Sequence, residues 1–541
     1  MVESNVNGND TSENYDAIVV GAGFAGLYQV YRLREMGLRV LCLEAAPAVG
    51  GTWYWNCYPG ARVDSEAKVY QYWFSDELID EWDWSERFPA QPETERYLNY
   101  VADKFELRRH IQFNTRVVSA EWEETGRRWL IETEQGERFS GRYFVSCAGV
   151  LSAPKTPDIP GVERFGGTVV HTARYPREGL DLKGKRVGVV GCGATGVQVI
   201  QTIAAEVAHL TAFQRTPCSG IAIRNEKLDE ATREDWRAHS AETSERIRHT
   251  FVGFQFDFDN GSWYDHTPEE RRAILERLWA DGSLAPWVGG FREVFFDEEA
   301  NAGMSEFARE KIRAQVKDPK TAEMLTPRKA GFGTYRVPLE SGYYEAFNRD
   351  NVTLVNASET PIKCYTENGL ETTAGHFELD VVILATGFDA STGPLTRMNI
   401  RGRDGRSLTE EWSKDVRSTL GLQLHGFPNL FTLSGPLAPS AAFCNAAICL
   451  QQQADWVADC IGYLIDKDCT TIEPTLAKQD EWVALCEEQA SETLLSKTES
   501  WYMGANIEGK PRRLLGYLGV GDYEAHCDAV KSSGYAGFEL T

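Results

Sequence analysis

The first part of the chain has an order of apolar and mixed segments that predicts a strand, a turn, a helix and a second strand. Residues 15–20 are largely apolar and lead into the glycine-rich turn GAGFAG at 21–26. The segment LYQVYRLREMG at 27–37 is interpreted as a helix, and the apolar run 38–43 ends at Glu44. This order is typical of one βαβ unit.

The same order recurs about 170 residues later. A strand predicted at 186–190 leads into the turn GCGATG at 191–196, which is followed by a helix at 197–205. The next strand, 210–213, ends close to Arg215. The chain is therefore expected to contain two such units.

Both glycine-rich turns stand between a strand and a helix, where a glycine backbone can approach a pyrophosphate closely. The pyrophosphate would then lie at the positive N-terminal end of the helix. A single GxGxxG could also be a turn that serves only packing. Here each motif stands in a complete βαβ unit, and this context favours nucleotide binding. The motif glycines are Gly21, Gly23 and Gly26 in the first unit and Gly191, Gly193 and Gly196 in the second.

The residues at the end of the second strand of each unit indicate which of two cofactors that unit binds. A carboxylate there accepts hydrogen bonds from ribose hydroxyls, so Glu44 predicts an unphosphorylated ribose, as in FAD. A guanidinium there pairs with a 2′-phosphate, so Arg215 and Thr216 predict NADPH. For each position the alternative is a solvated charge at the end of a strand.

Between residues 225 and 328 the pattern changes to charged segments with a period of 3.6 residues, such as TPEERRAILERLWADG. These segments predict amphipathic helices. The predicted fold class is α/β, with two Rossmann-like dinucleotide-binding domains and a helical insertion. The expected parts are a disordered tail at 1–14, a discontinuous FAD-binding domain at 15–150 and 386–541, a discontinuous NADPH-binding domain at 151–224 and 329–385, and the insertion at 225–328.

Composition excludes several classes of protein. The formal net charge of −24 disfavours a nucleic-acid partner, because phosphate binding needs clustered Lys and Arg. No apolar run reaches the roughly 18 to 20 residues that span a bilayer, so no membrane partner is expected. The twelve cysteines form no Cys-x-x-Cys and the nine histidines are scattered. This predicts no metal site, no flavin disulfide-reductase chemistry, and reduced thiols in the cytoplasm.

Three longer motifs resemble one known family. The segment GGTWYWNCYPGARVD at 50–64 is similar to the GGxWxxxxYPGxxxD signature of type I Baeyer-Villiger monooxygenases. The segment FGGTVVHTARYP at 165–176 is similar to their fingerprint FxGxxxHxxxWP, and DVVILATG at 380–387 resembles the strand that returns the chain to the flavin domain. The resemblance runs from about residue 15 to the C-terminus.

Carried over residue by residue, the resemblance implies which side chains lie along the two cofactors. Along FAD it implies Ala25, Glu44, Thr52, Trp53, Asp64, Tyr70 and Val117. Along NADPH it implies Arg62, the turn residues Cys192, Gly193, Ala194, Thr195, Gly196 and Gln198, the pair Arg215 and Thr216, and Trp501.

The resemblance also implies two catalytic residues. Arg336 falls where the family keeps its active-site arginine, and a guanidinium stays cationic at any working pH and can stabilise negative oxygen. Asp64 would hold that guanidinium in place. The alternatives are a surface ion pair for Arg336 and a turn-forming aspartate after Pro-Gly for Asp64.

Three positions depart from the family pattern. Tyr175 replaces the fingerprint tryptophan and is the aromatic residue of the sister flavin-containing monooxygenases. The first dinucleotide domain ends in CAG at 147–149, where relatives often have ATG. Tyr335 stands where the family has a lysine that helps to bind the 2′-phosphate of NADPH. A neutral tyrosine at 335 is therefore expected to weaken the preference for NADPH over NADH.

The chemistry that the resemblance implies is the conversion of a ketone to an ester or lactone with O2 and NADPH through a C4a-peroxyflavin. The small residues of GPLAPSAAFCN at 435–445 resemble the loop lining the ketone pocket and favour a cyclic or bulky ketone. Oxygenation of nitrogen or sulfur centres, supported by Tyr175, is the alternative reaction. A catalytically silent protein that senses NADPH is the alternative from another class.

Overall fold

The computed structural model describes residues 13–440 and 443–541. Strands and helices alternate along most of this part of the chain, and the predicted α/β class is confirmed. The strands, in chain order, are β1 (Glu13–Val20), β2 (Val40–Leu43), β3 (Ile111–Gln112), β4 (Val117–Glu123), β5 (Arg128–Thr133), β6 (Arg138–Ser146), β7 (Thr168–His171), β8 (Arg186–Val190), β9 (His209–Gln214), β10 (Ile221–Ala222), β11 (Leu339–Glu340), β12 (Val352–Asn356), β13 (Ile362–Thr366), β14 (Gly369–Thr372), β15 (Gly375–Glu378), β16 (Val381–Leu384), β17 (Ile400–Arg401), β18 (Leu430–Thr432), β19 (Ile472–Pro474) and β20 (Phe538–Leu540).

Helices occupy most connections between the strands. In chain order they are α1 (Phe24–Glu35), α2 (Thr52–Trp55), α3 (Asp76–Glu81), α4 (Gln91–Lys104), α5 (Ala194–Ile203), α6 (Glu230–Ala238), α7 (Ser240–His249), α8 (Pro268–Ala280), α9 (Ala285–Val288), α10 (Glu298–Gln315), α11 (Pro319–Leu325), α12 (Tyr343–Ala346), α13 (Gly393–Thr396), α14 (Leu408–Trp412), α15 (Ala446–Asp466), α16 (Leu476–Glu492) and α17 (Val520–Ser532). Helices α6 to α11 fall within residues 225–328, the segment with the amphipathic pattern.

The first sheet is built around the first βαβ unit. Its strand order is β17-β4-β5-β6-β1-β2-β3, and β18 also pairs with β6. Strand β1 lies between β2 and β6 and is parallel to both. Strands β17 and β18 come from the C-terminal part of the chain, which therefore returns to this sheet.

The second sheet contains the second βαβ unit and is parallel throughout, with the order β12-β9-β8-β16-β7. Strands β12 and β16 join it after the helical segment between residues 225 and 328. Strands β2 and β16 are buried along their whole length, which is typical of parallel strands covered on both faces. Two sheets, each made from separate stretches of chain, agree with two discontinuous domains, and the exact domain boundaries stay a prediction.

The helices of both units begin earlier than the sequence pattern indicates. Helix α1 begins at Phe24 rather than 27, and α5 begins at Ala194 rather than 197. The reason is that each helix starts directly after the second glycine of its turn, so the third motif glycine is already helical. Strand β1 begins at Glu13, so Glu13 and Asn14 belong to the sheet and not to the predicted tail. Residues 1–12 of that tail lie outside the described residues.

The two units have separate hydrophobic cores. One core packs α1 and the first sheet against α15, and Tyr28 on α1 donates a hydrogen bond to Asp455 on α15 at 2.7 Å. A second core surrounds β8, β9 and α5. A third lies among the helices between 225 and 328 and includes Trp263 and Trp287. Across residues 13–440 and 443–541, no helix has both the length and the apolar character needed to cross a membrane.

Glu340 is a carboxyl group that the fold buries almost completely. It ends β11, is 1% exposed, and accepts hydrogen bonds from the backbone N–H groups of Gly342 and Tyr343 at 2.9 Å. Burial raises its pKa to about 7, against the two hydrogen bonds, which lower it. The folded protein therefore holds a proton that the unfolded chain releases near pH 4.5. The free energy of unfolding must then fall as the pH rises from about 4.5 to 7.

We expect Glu340→Gln to stabilise the protein at pH 8 and to leave it unchanged near pH 4.5. The amide oxygen can still accept the two N–H groups but carries no charge to bury, so the gain at pH 8 is at most about 3 kcal/mol. Urea unfolding of parent and variant at both pH values measures it. Glu367→Gln, at an exposed position, is the matched control. A stability difference independent of pH would contradict the buried titration of Glu340.

Candidate active site

One cleft of about 960 Å³ connects the two glycine-rich turns. All the residues predicted for the site except Gly26 and Gly196 line it. The predicted residues that line the cleft are Gly21, Gly23, Ala25, Glu44, Thr52, Trp53, Arg62, Asp64, Tyr70, Val117, Gly191, Cys192, Gly193, Ala194, Thr195, Gln198, Arg215, Thr216, Tyr335, Arg336 and Trp501.

The N-termini of α1 and α5 open into this cleft. The residues before them, Gly23 and Gly193, provide no side-chain cap, and neither helix has an acidic residue in its first turn. A Cβ atom on Gly193 would meet no atom within 4 Å. Uncapped helix N-termini carry unsatisfied N–H groups and partial positive charge. Each turn is therefore shaped to take an anionic group such as a diphosphate.

The third glycine of each motif has a different task. A Cβ atom on Gly26 would overlap the carbonyl oxygen of Gly21, and one on Gly196 would overlap the carbonyl oxygen of Gly191. These glycines let the first turn of the helix pack directly on the end of the preceding strand. Gly26 and Gly196 therefore belong to the motif because the helix packs closely against the strand beneath the cleft, and not because they line the cleft.

Glu44 is held in place by the backbone of its own unit. The side chain is 4% exposed, and its two oxygens accept hydrogen bonds from the N–H groups of Ala22 at 2.6 Å and Ala46 at 2.7 Å. Burial raises its pKa, while these N–H groups and the charge of Arg116 lower it. Each oxygen has a further lone pair for a hydroxyl donor. The arrangement fits a ribose diol.

Arg215 and Tyr335 lie at the same corner of the cleft. Burial raises the pKa of the half-buried Tyr335 hydroxyl, Glu499 raises it further, and the positive charges of Arg215 and Arg512 oppose this rise. Arg215 thus places a positive charge beside a neutral hydrogen-bonding group. The corner fits a phosphate, with the Arg215 guanidinium beside a neutral hydroxyl at 335, where the family has a lysine.

Arg336 and Asp64, 272 residues apart in the chain, form an ion pair in the cleft. The Arg336 side chain is only 19% exposed, and its guanidinium lies 5.2 Å from the centre of the Trp287 ring. Burial lowers the pKa of Arg336, but Asp64, Tyr502 and Tyr70 together raise it more, so the pKa lies above the usual arginine value. The cleft therefore holds a permanent, oriented positive charge.

Trp53 and Tyr70 form an aromatic wall near this ion pair. The Trp53 indole N–H donates to the Tyr70 hydroxyl at 3.0 Å, and the two rings meet edge to face. Burial raises the pKa of Tyr70, with Asp64 and Arg336 acting in opposite directions. Arg62 is placed by α5, because its carbonyl accepts a hydrogen bond from the Gln198 amide at 3.1 Å.

Tyr175, where the family fingerprint has tryptophan, is not on the surface of the cleft. Its side chain is 4% exposed and belongs to the core of the second unit. Its hydroxyl finds no hydrogen-bond partner within the described residues. His171 accepts from the Ala173 N–H at 3.1 Å and hydrogen-bonds Thr386, which does line the cleft. Two other fingerprint residues, Ala173 and Arg174, do line the cleft, so the fingerprint contributes both to its surface and to the core beneath it.

The loop at 435–445 contributes fewer residues to the lining of the cleft than its motif indicates. Of its described residues only Cys444 lines the cleft, whereas Leu437 and Ala438 are buried in the core. Residues 441 and 442 lie outside the described residues. Leu433, Ser434, Ala446 and Leu450, on either side of the loop, complete this wall. The expected space for a cyclic or bulky ketone stays a prediction.

Sequence reasoning missed several residues of the site. Phe254 lines the cleft and Trp287 lies beside Arg336, although both belong to the segment interpreted only as a helical insertion. The run FVGFQFDF at 251–258, rich in aromatic residues between charged helices, was an available signal for Phe254. Nothing local marked Trp287 or the arginines 116 and 397 that also line the cleft, whereas Arg174 lies within the fingerprint at 165–176.

The sequence and the fold of the chain are similar to those of known proteins. Residues 15–219 match the family described as flavin-binding monooxygenase-like. The chain is 50% identical to the acetone monooxygenase (methyl acetate-forming) of Gordonia sp. (strain TY-5), over 97% of this chain and 99% of that protein. It is 39% identical to the phenazine N-monooxygenase PhzNO1 of Lysobacter antibioticus, over 97% of both. Its structure matches a crystal structure of OTEMO complexed with FAD and NADP, with a TM-score of 0.95, 40% identity and coverage of 98% of this chain and 100% of that chain.

Proposed function

The chain belongs to the Baeyer-Villiger monooxygenases, and from this membership we propose that it converts ketones to esters or lactones with O2, FAD and NADPH. The observation that carries the proposal is the single cleft that joins both glycine-rich turns to a buried arginine. Two dinucleotides bound at the turns would have their reactive ends in the same space, beside one fixed positive charge.

The first unit fits FAD. The uncapped N-terminus of α1 suits the diphosphate, and the Glu44 carboxylate suits the ribose hydroxyls of an unphosphorylated adenosine. We propose that FAD lies along Gly21, Gly23, Ala25, Glu44, Thr52, Trp53, Asp64, Tyr70 and Val117.

The second unit fits NADPH. The uncapped N-terminus of α5 suits its diphosphate, and Arg215 with Thr216 suits the 2′-phosphate. We propose that NADPH contacts Arg62, Cys192, Gly193, Ala194, Thr195, Gln198, Arg215, Thr216, Tyr335 and Trp501.

Bound FAD would supply hydride acceptance and the activation of O2, which side chains cannot provide. The task of Arg336 is to stabilise the negative charge that develops on oxygen during addition to the ketone carbonyl. Asp64 orients the guanidinium, and the Trp287 ring supports it from one side. The aromatic wall of Trp53 and Tyr70 helps to keep water from the reacting atoms.

A ketone panel with product mass as the readout tests this function. Purified protein with FAD is given NADPH, O2 and ketones from acetone through cyclopentanone to fused-ring ketones. A product heavier by one oxygen that hydrolyses as an ester or lactone supports the proposal. The largest ketone that is still converted indicates how much space the cleft offers to the substrate. Protein that binds no flavin, or turns over none of the ketones, would overturn it.

Oxygenation of nitrogen is the second candidate, because one relative of the chain is named for it. Phenazine and a thioether are therefore included as substrates. An N-oxide or sulfoxide without any ester or lactone would favour this candidate over the first.

We expect a preference for NADPH over NADH that Tyr335→Lys increases by roughly tenfold. Tyrosine offers the 2′-phosphate one neutral hydrogen bond, whereas lysine adds a charge beside Arg215. The ratio of kcat/KM for the two nicotinamides measures the preference, with Tyr335→Phe as the matched control that removes only the hydroxyl. Equal kcat/KM for both nicotinamides in the parent would show that Arg215 does not face a 2′-phosphate.

A further inference from the structure

Three arginines, Arg116, Arg174 and Arg397, line the cleft as a group that we call the arginine cluster. The Arg174 guanidinium stacks on Trp55, 4.3 Å from the ring centre, and donates a hydrogen bond to the carbonyl of the neighbouring Ala173 at 2.7 Å. Arg397 donates to the Pro154 carbonyl at 3.2 Å. Within residues 13–440 and 443–541, neither Arg174 nor Arg397 forms an ion pair with a carboxylate.

The members of the arginine cluster are close enough to repel one another. Arg174 is exposed at the mouth of the cleft, but partial desolvation there lowers its pKa, and the charges of Arg116 and Arg397 lower it further. Arg116 forms a long ion pair with Glu134, with 3.9 Å between the nitrogen and the carboxylate oxygen. The protein has 80 acidic residues and 56 basic ones, so carboxylates to pair with these arginines are plentiful in the sequence. Positive charges left together at a cleft in such a protein indicate a site for an anion.

The position of the arginine cluster points to the first glycine-rich turn. Arg116 acts on the carboxylate of Glu44, at the end of β2. Trp55, under Arg174, ends α2, and the glycine before α2, Gly51, packs against Gly23 in the turn itself. The cluster thus borders the turn from the side of Glu44 and from the side of α2.

We propose that the arginine cluster binds the diphosphate of FAD, opposite the N-terminus of α1. A guanidinium presents several N–H donors in one plane and binds phosphate oxygens through paired hydrogen bonds. The helix N-terminus supplies donors from one side of the diphosphate, and the cluster supplies charge from the other. This inference rests on the proposed FAD site and adds side chains that the nucleotide motif does not contain.

The test is the release of FAD from diluted holoenzyme, followed by the fluorescence of free flavin. The variants are Arg116→Gln, Arg174→Gln and Arg397→Gln. The matched control is Arg138→Gln on β6, which removes the same charge from a side chain that is 73% exposed. Each cluster variant is expected to raise the Kd for FAD about tenfold, as for a hydrogen bond to a charged group, and the control to leave it unchanged.

Two further measurements separate a phosphate contact from a change in folding or in the other cofactor. The Kd for FAD of the parent should rise between about 50 and about 500 mM KCl, and less steeply in the variants, because salt screens the lost charge. The far-UV circular dichroism spectrum with saturating FAD and the Kd for NADP+ should stay as in the parent. A loss of NADP+ affinity instead of FAD affinity would assign the cluster to the second dinucleotide and overturn the proposal.

Unchanged FAD release in all three variants would also overturn it, while leaving the proposed function intact. A parent protein that holds no FAD would end the proposed function itself. The two failures are therefore distinguishable.

Discussion

Arg336→Ala is expected to abolish ester or lactone formation while some NADPH oxidation persists. The buried guanidinium supplies charge for oxygen addition to the ketone, and losing such a stabiliser costs about 2.7 to 4 kcal/mol, or roughly a hundred- to a thousandfold in rate. Hydride transfer depends mainly on how the nicotinamide is placed. Oxygen consumed by the variant should therefore appear as hydrogen peroxide, and the enzyme should become an NADPH oxidase.

The readout is ester formed and hydrogen peroxide released per NADPH consumed. Arg292→Ala is the control, since Arg292 also lies over aromatic rings but does not line the cleft. Arg336→Lys keeps the charge without the planar fork and should be intermediate. Asp64→Ala should be milder than Arg336→Ala or slow both half-reactions, because Asp64 acts through the arginine. Normal coupling in Arg336→Ala would show that another group stabilises the negative oxygen.

Gly196→Ala is expected to destabilise the second unit by more than about 3 kcal/mol, beyond the usual range for overpacking. The added methyl group would overlap the Gly191 carbonyl, a rigid backbone atom that cannot move without separating α5 from β8. NADP+ binding should be lost together with stability, because the same displacement moves the N-terminus of the helix.

Gly193→Ala, three residues earlier, is the matched comparison. Its methyl group would point into open cleft, so the variant should keep the parent's melting temperature and lose only NADP+ affinity. Thermal melting without nicotinamide, followed by NADP+ titration, separates the two effects. If Gly196→Ala melted like the parent, the close contact of helix and strand could relax at little cost.

The sequence by itself determined the parts of the site that depend on local spacing. Strand β8 was predicted at its observed bounds, 186–190, and both glycine-rich turns lie in βαβ units with Glu44 and Arg215 at the cleft. A strand, a tight turn and a helix N-terminus are made by neighbouring residues, so their pattern can be recognised along the chain. Helices α1 and α5 begin three residues before their predicted starts. Glycine has a low helix propensity, so a glycine-rich segment was not expected to form the first turn of a helix.

Only the tertiary structure decided what surrounds the reacting space. The resemblance named Arg336 and Asp64, but packing of three segments distant in sequence sets the ion pair against the face of Trp287. Packing also places the Tyr175 side chain in the core and most of the described residues of the 435–445 loop away from the cleft. It brings the three residues of the arginine cluster close together. These positions depend on how separate elements dock, and docking is set by the sum of many contacts between residues far apart in the chain, which no local spacing records.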